Sequence, residues 1–376
     1  MRIAIDARGI NFYNGTGIGT YTENVLKNLI NIDKINNYHI FWSGSNYESI
    51  KRENCKIVMT SKKHQRFFED HYFPTNLSNE QIDIYHMPQN GIGFSQEVSC
   101  KKIITLHDLI PYVMPETVGK GYLLKFLKEM PIIIEGSDGI ITVSEFSKRD
   151  ILKFFPIDEK KIFVTPLAAD KKYTPLDKGF CKNFLKVEYN LEDPFILYLG
   201  GFSERKNVAS AIIAFSKIYK DLDKKYNLVI VGGYKDSSQR LLKLTDELNI
   251  SSHVIFTGFV PEEHLPIFYN CCDTFIYPSF YEGFGLPPLE AMNCGAPVIA
   301  SNLTSIPEVV GDGGILINPY DISEISSAMG NLLSSEKLKS ELSYKGLKRA
   351  KEFSWQNTAQ NTLKVYESVY SSPSPS

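Results

Sequence analysis

YPSFYEGFGLPPLEAM, residues 277–292, joins the end of a strand to the start of a helix through a loop with two glycines. The run DTFIYP (273–278) reads as a short buried strand that stops at Pro278. Gly283 and Gly285 flank one aromatic residue, and Pro287 and Pro288 follow in the first helical turn, where their missing N–H groups cost little. Gly295 stands where a left-handed residue closes a helix. Strand, glycine loop and helix start in this order suit an anion such as phosphate. The glycines admit close backbone approach, and the first-turn amides and helix dipole favour negative charge. Glu282 and Glu290 lie in the same stretch. Carboxylates beside an anion need another purpose, such as accepting hydrogen bonds from sugar hydroxyls. The alternative is a plain surface loop with incidental acids.

Outward from this segment, apolar strands alternate with amphipathic helices. In the first half strands are expected at IAIDA (3–7), YHIFW (38–42), CKIVM (55–59), DIYH (83–86), KIITLH (102–107), GIITV (139–143) and KIFVT (161–165). Between them lie helical patterns such as IGTYTENVLKNLI, where Ile18, Tyr21, Val25, Leu26 and Leu29 share one face. TPLAADKKYTPLDKG (165–179) has two prolines and no periodic apolar face, and reads as a linker. The rhythm then restarts with FILYLG (195–200), NLVIVGG (227–233), HVIFTG (253–258), DTFIYP, PVIAS (297–301) and GGILIN (313–318). Continuous apolar strands separated by helices indicate parallel sheets covered on both faces. The expected fold class is α/β, with two doubly wound domains in tandem, 1–170 and 171–354, and ligand sites at strand C-termini. The helix at 355–370 is expected to pack back on the first domain, and the tail SSPSPS (371–376) to be disordered.

The length of 376 residues suits two domains, and 43% hydrophobic with 22% charged residues is a core-forming composition. A net charge of −2 gives no field that would attract nucleic acid. The six cysteines form no CxxC, and no histidine lies at zinc-finger spacing, so neither a metal site nor a disulfide framework is expected. The start MRIAIDARG reads as a strand and not a signal peptide, and no apolar run nears the ~20 residues that span a bilayer. A cytoplasmic protein is expected.

The segment at 277–292 resembles the signature of retaining glycosyltransferase family 4, written E-x7-E and matched here by Glu282 and Glu290. The resemblance covers nearly the whole chain, through NGTGIGTYT (14–22), the His107–Asp108 pair and TVSEFSKRD (142–150). It implies the GT-B fold, two Rossmann-like doubly wound parallel-sheet domains facing a central cleft. It also implies that Glu282 contacts donor-sugar hydroxyls and Glu290 the nucleotide ribose. The amides of Gly283, Phe284, Gly285 and Leu286 would hold donor sugar and diphosphate. In FILYLGGFSERKN (195–207), Arg205 and Lys206 would neutralise the departing diphosphate. Many family members carry a basic residue after the first glycine of this loop; here that place is Gly201, which shifts the phosphate burden onto Arg205 and Lys206. By itself an Arg-Lys pair at a helix start reads as a solvated surface feature.

NGTGIGTYT fails as a dinucleotide fingerprint, because the preceding strand ends well before Gly15. The resemblance brings Gly17, Ile18 and Gly19 near donor phosphate or acceptor, against the alternative of a helix-capping loop. It sets His107 against the donor sugar near the reacting centre, where a purely structural histidine is the alternative. Asp108 is expected to orient a neighbour or cap a helix, and Ser144 to be an N-cap. In TGFVPEEHL (257–265) the backbone near Phe259 and Val260 would meet the nucleobase.

The implied reaction moves a sugar from a nucleotide-diphosphate donor, UDP-, GDP- or ADP-linked, to a hydroxyl of a glycan or lipid-linked acceptor, with retained configuration. No metal and no cofactor are expected, since no DxD-like pair ends a strand. Polysaccharide or glycoconjugate assembly is the role the resemblance suggests. A lipid-linked acceptor would bring the first domain to the inner membrane face through TVGKGYLLKFLKEMPIII (117–134), although a buried amphipathic helix explains that segment as well. The rival readings are a nucleotide-sugar epimerase of the same fold, an NAD-dependent oxidoreductase and a non-catalytic sugar-binding protein.

Overall fold

The structure is a computed structural model that describes residues 1–13, 15–91, 93–95, 97–233 and 236–373, except the side chains of 62, 65 and 236–238. Asn14, at the head of the glycine loop, and 374–376 of the expected tail lie outside the described residues. Among the described residues, each expected strand is present. β1 (Arg2–Asp6), β2 (Asn37–Trp42), β3 (Cys55–Met59), β4 (Ile84–Met87), β5 (Lys101–Thr105), β6 (Gly139–Thr142) and β7 (Ile162–Val164) form a seven-stranded sheet in the order β3-β2-β1-β4-β5-β6-β7. β8 (Phe195–Leu199), β9 (Asn227–Val231), β10 (Val254–Gly258), β11 (Thr274–Tyr277), β12 (Val298–Ser301) and β13 (Gly314–Ile317) form a six-stranded sheet in the order β10-β9-β8-β11-β12-β13. Every neighbouring pair runs parallel. β9 shows why these strands read as unbroken apolar runs: all five of its residues are buried, because helices cover both faces of the sheet.

The chain divides into two compact units, Met1–Leu167 with Ser354–Ser376, and Ala168–Phe353. Each has its own core. In the first, Phe73, Tyr85, Ile104, Met130 and Ile140 pack together; in the second, Tyr198, Phe215, Ile230, Ile276 and Met329 do so. The helix Trp355–Ser371 returns to the first unit, where Thr358 Oγ1 donates to the Pro166 carbonyl at 2.6 Å and Tyr366 reaches His86. No described helix is long and apolar enough to cross a membrane.

Both strand orders reverse once, between β1 and β4 in the first unit and between β8 and β11 in the second. At such a reversal the two flanking loops diverge to opposite faces and open a crevice at the strand C-termini, where α/β folds bind ligands. In the second unit the crevice is bounded by SERKN and SFYEGFG, the loops singled out by sequence. In the first it holds a polar group with no signal in the sequence. Arg8, 1% exposed, donates to Asp6 through Nε (2.8 Å) and Nη2 (2.6 Å) and to Glu69 (2.9 Å). A Cβ at Gly93 (φ +93°) would lie 2.9 Å from Arg8, so only glycine lets the loop after β4 close over this pair.

Candidate functional site

The centre of the second unit's crevice is Glu282, which is 8% exposed. Lys206 Nζ donates to Glu282 Oε1 at 2.7 Å and to the Tyr277 hydroxyl at 2.6 Å. That hydroxyl donates in turn to Oε1 at 2.9 Å. Arg205 Nη1 stands 2.9 Å from Oε2 and also donates to the Tyr281 carbonyl. Burial pushes the Glu282 carboxyl up, but Lys206 and then Arg205 outweigh it and hold the group at about 2. Glu282 is therefore ionised at any physiological pH. Two cations against one carboxylate leave a net positive charge beside the start of the helix Leu286–Asn293, an arrangement suited to an anion.

Local chemistry holds these groups. Asn207 takes the left-handed conformation (φ +54°), which asparagine tolerates, and its amide donates to the carbonyls of Pro278 (3.1 Å) and Pro319 (2.9 Å). That ties the turn bearing Arg205 and Lys206 to the end of β11. On the other side, Glu282 N–H donates to Thr304 Oγ1 (3.2 Å), and Ser305 Oγ lies 2.8 and 2.7 Å from the carbonyls of Glu282 and Phe284. Gly285 enters the helix at φ +122°, and a Cβ there would stand 3.0 Å from Ile306. Glycine is required at this position by conformation and by space. Gly283 and Phe284 are buried in the same turn, and Leu286 begins the helix.

Glu290 is only partly buried, and the Tyr269 hydroxyl donates to its Oε2 at 3.2 Å. Burial raises its carboxyl to about 7, against the opposing pull of Tyr269 and Lys172. One acid of the pair is thus firmly ionised while the other titrates near neutrality. At Gly201 a Cβ would meet nothing within 4 Å. At the end of β10 Phe259 is 81% exposed, while Val260 beside it is buried.

In the first unit, His107 lies two residues past β5 and is 7% exposed. Its backbone N–H donates to Asn90 Oδ1 (3.0 Å), and its Nε2 is 2.9 Å from the Pro88 carbonyl. A carbonyl only accepts, so Nε2 carries the proton and Nδ1 is the ring's acceptor. Burial lowers His107 to about 4 against the opposing Pro88 bond, so the ring is neutral. Asp108 accepts from Ile110 N–H at 3.1 Å, and Ser144 caps its helix through Ser147 N–H at 3.0 Å. Gly17, Ile18 and Gly19 form the first turn of the helix Gly17–Ile32, which Thr16 caps through Gly19 N–H at 3.4 Å.

Sequence reasoning missed Tyr277, Thr304, Ser305 and Tyr269. Tyr277 had a usable signal, a tyrosine ending a buried strand inside the decisive stretch; the others had none.

Residues 182–349 match the model of the family described as glycosyl transferases group 1. Over 373 residues the chain is 30% identical to O-antigen chain mannosyltransferase B of Escherichia coli, spanning 94% of this chain and 97% of that one. It is 33% identical over 278 residues to the serotype-specific mannosyltransferase WbdA of Escherichia coli, spanning 72% of this chain and 34% of that longer protein. In fold it is similar to sucrose-phosphate synthase from Thermosynechococcus elongatus, with a TM-score of 0.76 and 20% identity over 98% of this chain and 99% of that one. The same holds for Anabaena HepE in complex with UDP and glucose, with a TM-score of 0.76 and 15% identity over 98% of this chain and 99% of that one. At these identities the likeness is one of fold, the pair of Rossmann-like domains of GT-B glycosyltransferases.

Proposed function

The chain belongs to the group 1 glycosyl transferases, and we propose that it moves a mannosyl residue from a nucleotide diphosphate to a hydroxyl of a growing glycan, retaining the anomeric configuration as family 4 enzymes do. The observation that carries this reading is the Lys206–Glu282–Arg205 cluster at the strand reversal, a cationic seat beside a helix start. The bond from the anomeric carbon to the diphosphate oxygen breaks as negative charge builds on the leaving group. Lys206, Arg205, and the amides of Gly283, Phe284, Gly285 and Leu286 stabilise that charge. The acceptor oxygen bonds to the same face of the sugar, and its proton passes to the leaving phosphate oxygen. Glu282 anchors the two cations and offers remaining lone pairs to sugar hydroxyls. Glu290 binds the ribose, the turn at Phe259 and Val260 the base, and neutral His107 the donor sugar through Nδ1. Gly17, Ile18 and Gly19 serve phosphate or acceptor. The cations take the place of a metal ion.

We place the protein on the cytoplasmic side, working in cell-surface polysaccharide assembly. The helix Lys120–Glu135 supports peripheral contact with an inner membrane face, because Tyr122, Leu124, Leu127 and Ile132 are exposed on it beside Lys120, Lys125 and Lys128.

A panel of UDP-, GDP- and ADP-sugars that includes the mannose derivatives tests the proposal, with release of nucleoside diphosphate followed with and without a mannooligosaccharide. Release that requires the acceptor is the expected result. Sugar isomerisation without acceptor would make the enzyme an epimerase, and binding without turnover a sugar-binding protein.

Glu290→Ala is expected to weaken nucleoside diphosphate binding about tenfold, the worth of one charge-assisted hydrogen bond. Since the Glu290 carboxyl sits at about 7, the carboxylate forms and affinity grows as pH rises through that value. Glu290→Gln should flatten this dependence. The dissociation constants, read by calorimetry from pH 6 to 8, decide it; an unchanged constant in both variants removes the ribose role.

A further inference from the structure

We infer that Tyr21, held through Thr105 and His86 by Tyr366 of the returning C-terminal helix, is a positioning residue for His107. The inference rests on the reading that His107 contacts the donor sugar and names what orients its ring.

The Pro88 carbonyl fixes only one ring nitrogen of His107, at 2.9 Å. A single hydrogen bond lets an imidazole rock about the bond axis, which would swing Nδ1. Tyr21 blocks that motion. Its ring stands edge-on to the imidazole, with centroids 4.8 Å apart and planes at 86°. Tyr21 is fully buried and is itself pinned, its hydroxyl 3.0 Å from Thr105 Oγ1. Thr105 Oγ1 lies 2.8 Å from His86 Nε2, and His86 Nδ1 lies 2.7 Å from the Tyr366 hydroxyl. Each member of this chain is buried, and burial lowers His86 to about 3, so its ring is neutral, with one donor and one acceptor nitrogen for its two partners. An unmet buried polar group is costly, so the members hold one another in a single arrangement. Trp355, at the start of the same returning helix, also lies against Tyr21, with centroids 6.4 Å apart. The last helix of the chain therefore reaches the His107 ring through four buried side chains.

A double-mutant cycle tests the inference, with GDP-mannose or whichever sugar nucleotide of the panel turns over. Tyr21→Phe removes one oxygen and keeps the ring edge. It is expected to lower kcat about tenfold at unchanged donor KM, and to cost nothing further in a His107→Ala background, which is the signature of coupled residues. In the 15N-histidine spectrum the His107 resonances should broaden as the ring rocks, while the Nε2–H tautomer set by the Pro88 carbonyl is kept. Tyr366→Phe, at the far end of the chain, should act in the same direction and serves if Tyr21→Phe does not fold. If His107→Ala is impaired and Tyr21→Phe has no effect, or the same effect in both backgrounds, the positioning role is overturned while the role of His107 stands. If His107→Ala keeps full kcat, the reading of His107 fails and the inference with it.

Discussion

Lys206→Ala is expected to slow sugar transfer by roughly 10²–10³-fold, the loss found when one preorganised donor to a developing oxyanion is removed. The diphosphate carries two negative charges in the ground state, and a further one builds on the oxygen leaving the anomeric carbon as the glycosidic bond stretches. A fixed ammonium therefore lowers the barrier more than it tightens binding. Lys206 is fixed: Nζ is held by Glu282 Oε1 at 2.7 Å and by the Tyr277 hydroxyl at 2.6 Å. The variant should stay folded, because Glu282 retains Arg205 and Tyr277. Lys206→Arg should restore little of the rate. A planar guanidinium cannot reproduce a point charge between those two partners. The measurements are kcat and the donor dissociation constant; turnover within a few-fold of the parent would remove Lys206 from the reaction.

Glu282→Ala is expected to destabilise the second unit by about 3–5 kcal/mol, the cost of leaving buried charge without its partner. Lys206 and Arg205, both mostly buried, would then face each other with no carboxylate between them. For a unit of this size each kcal/mol shifts the midpoint by roughly 2–4 °C, so melting should fall by roughly 6–20 °C. A nucleoside diphosphate returns negative charge to the same place. It should therefore raise the melting temperature of the variant more than that of the parent. The difference between parent and variant depends on pH in a defined direction. The Glu282 carboxyl sits at about 2 in the folded protein and at 4.5 ordinarily, so the unfolded chain takes up the proton first as pH falls. The parent's advantage is complete above 4.5 and shrinks as pH drops toward 2. Equal melting of the two proteins at neutral pH would mean that Glu282 does not hold the cations together.

These two variants separate roles that the acids and cations of one signature share. In the folded chain Glu282 spends both carboxylate oxygens on Lys206, Arg205 and Tyr277. The primary expectation for it, sugar hydroxyls, thus adds to an anchoring task that spacing alone does not reveal. Lys206 and Glu282 are 76 residues apart, and their pairing depends on the adjacency of β8 and β11. That adjacency follows from the strand order and not from either loop.

The sequence by itself determined the architecture. All thirteen strands, from IAIDA to GGILIN, were legible because a parallel strand covered on both faces is a continuous apolar run, a purely local property. The punctuation was local too: Ser144 caps a helix, Pro287 and Pro288 lie in a first turn, and Gly295 (φ +77°) follows a last one. Only the tertiary structure decided what surrounds each functional group. It brought Thr304 and Ser305 to the carbonyls and amide of the decisive loop, and led the C-terminal helix back to His86. It also set the proton states, with Glu282 at about 2, Glu290 at about 7 and His107 at about 4. The physical reason is that burial and Coulomb interactions are set by distances through space, between residues up to 280 positions apart in the chain. The stretch YPSFYEGFGLPPLEAM carries an anion seat in its own order of residues, but the charges that make the seat selective arrive from the turn after β8.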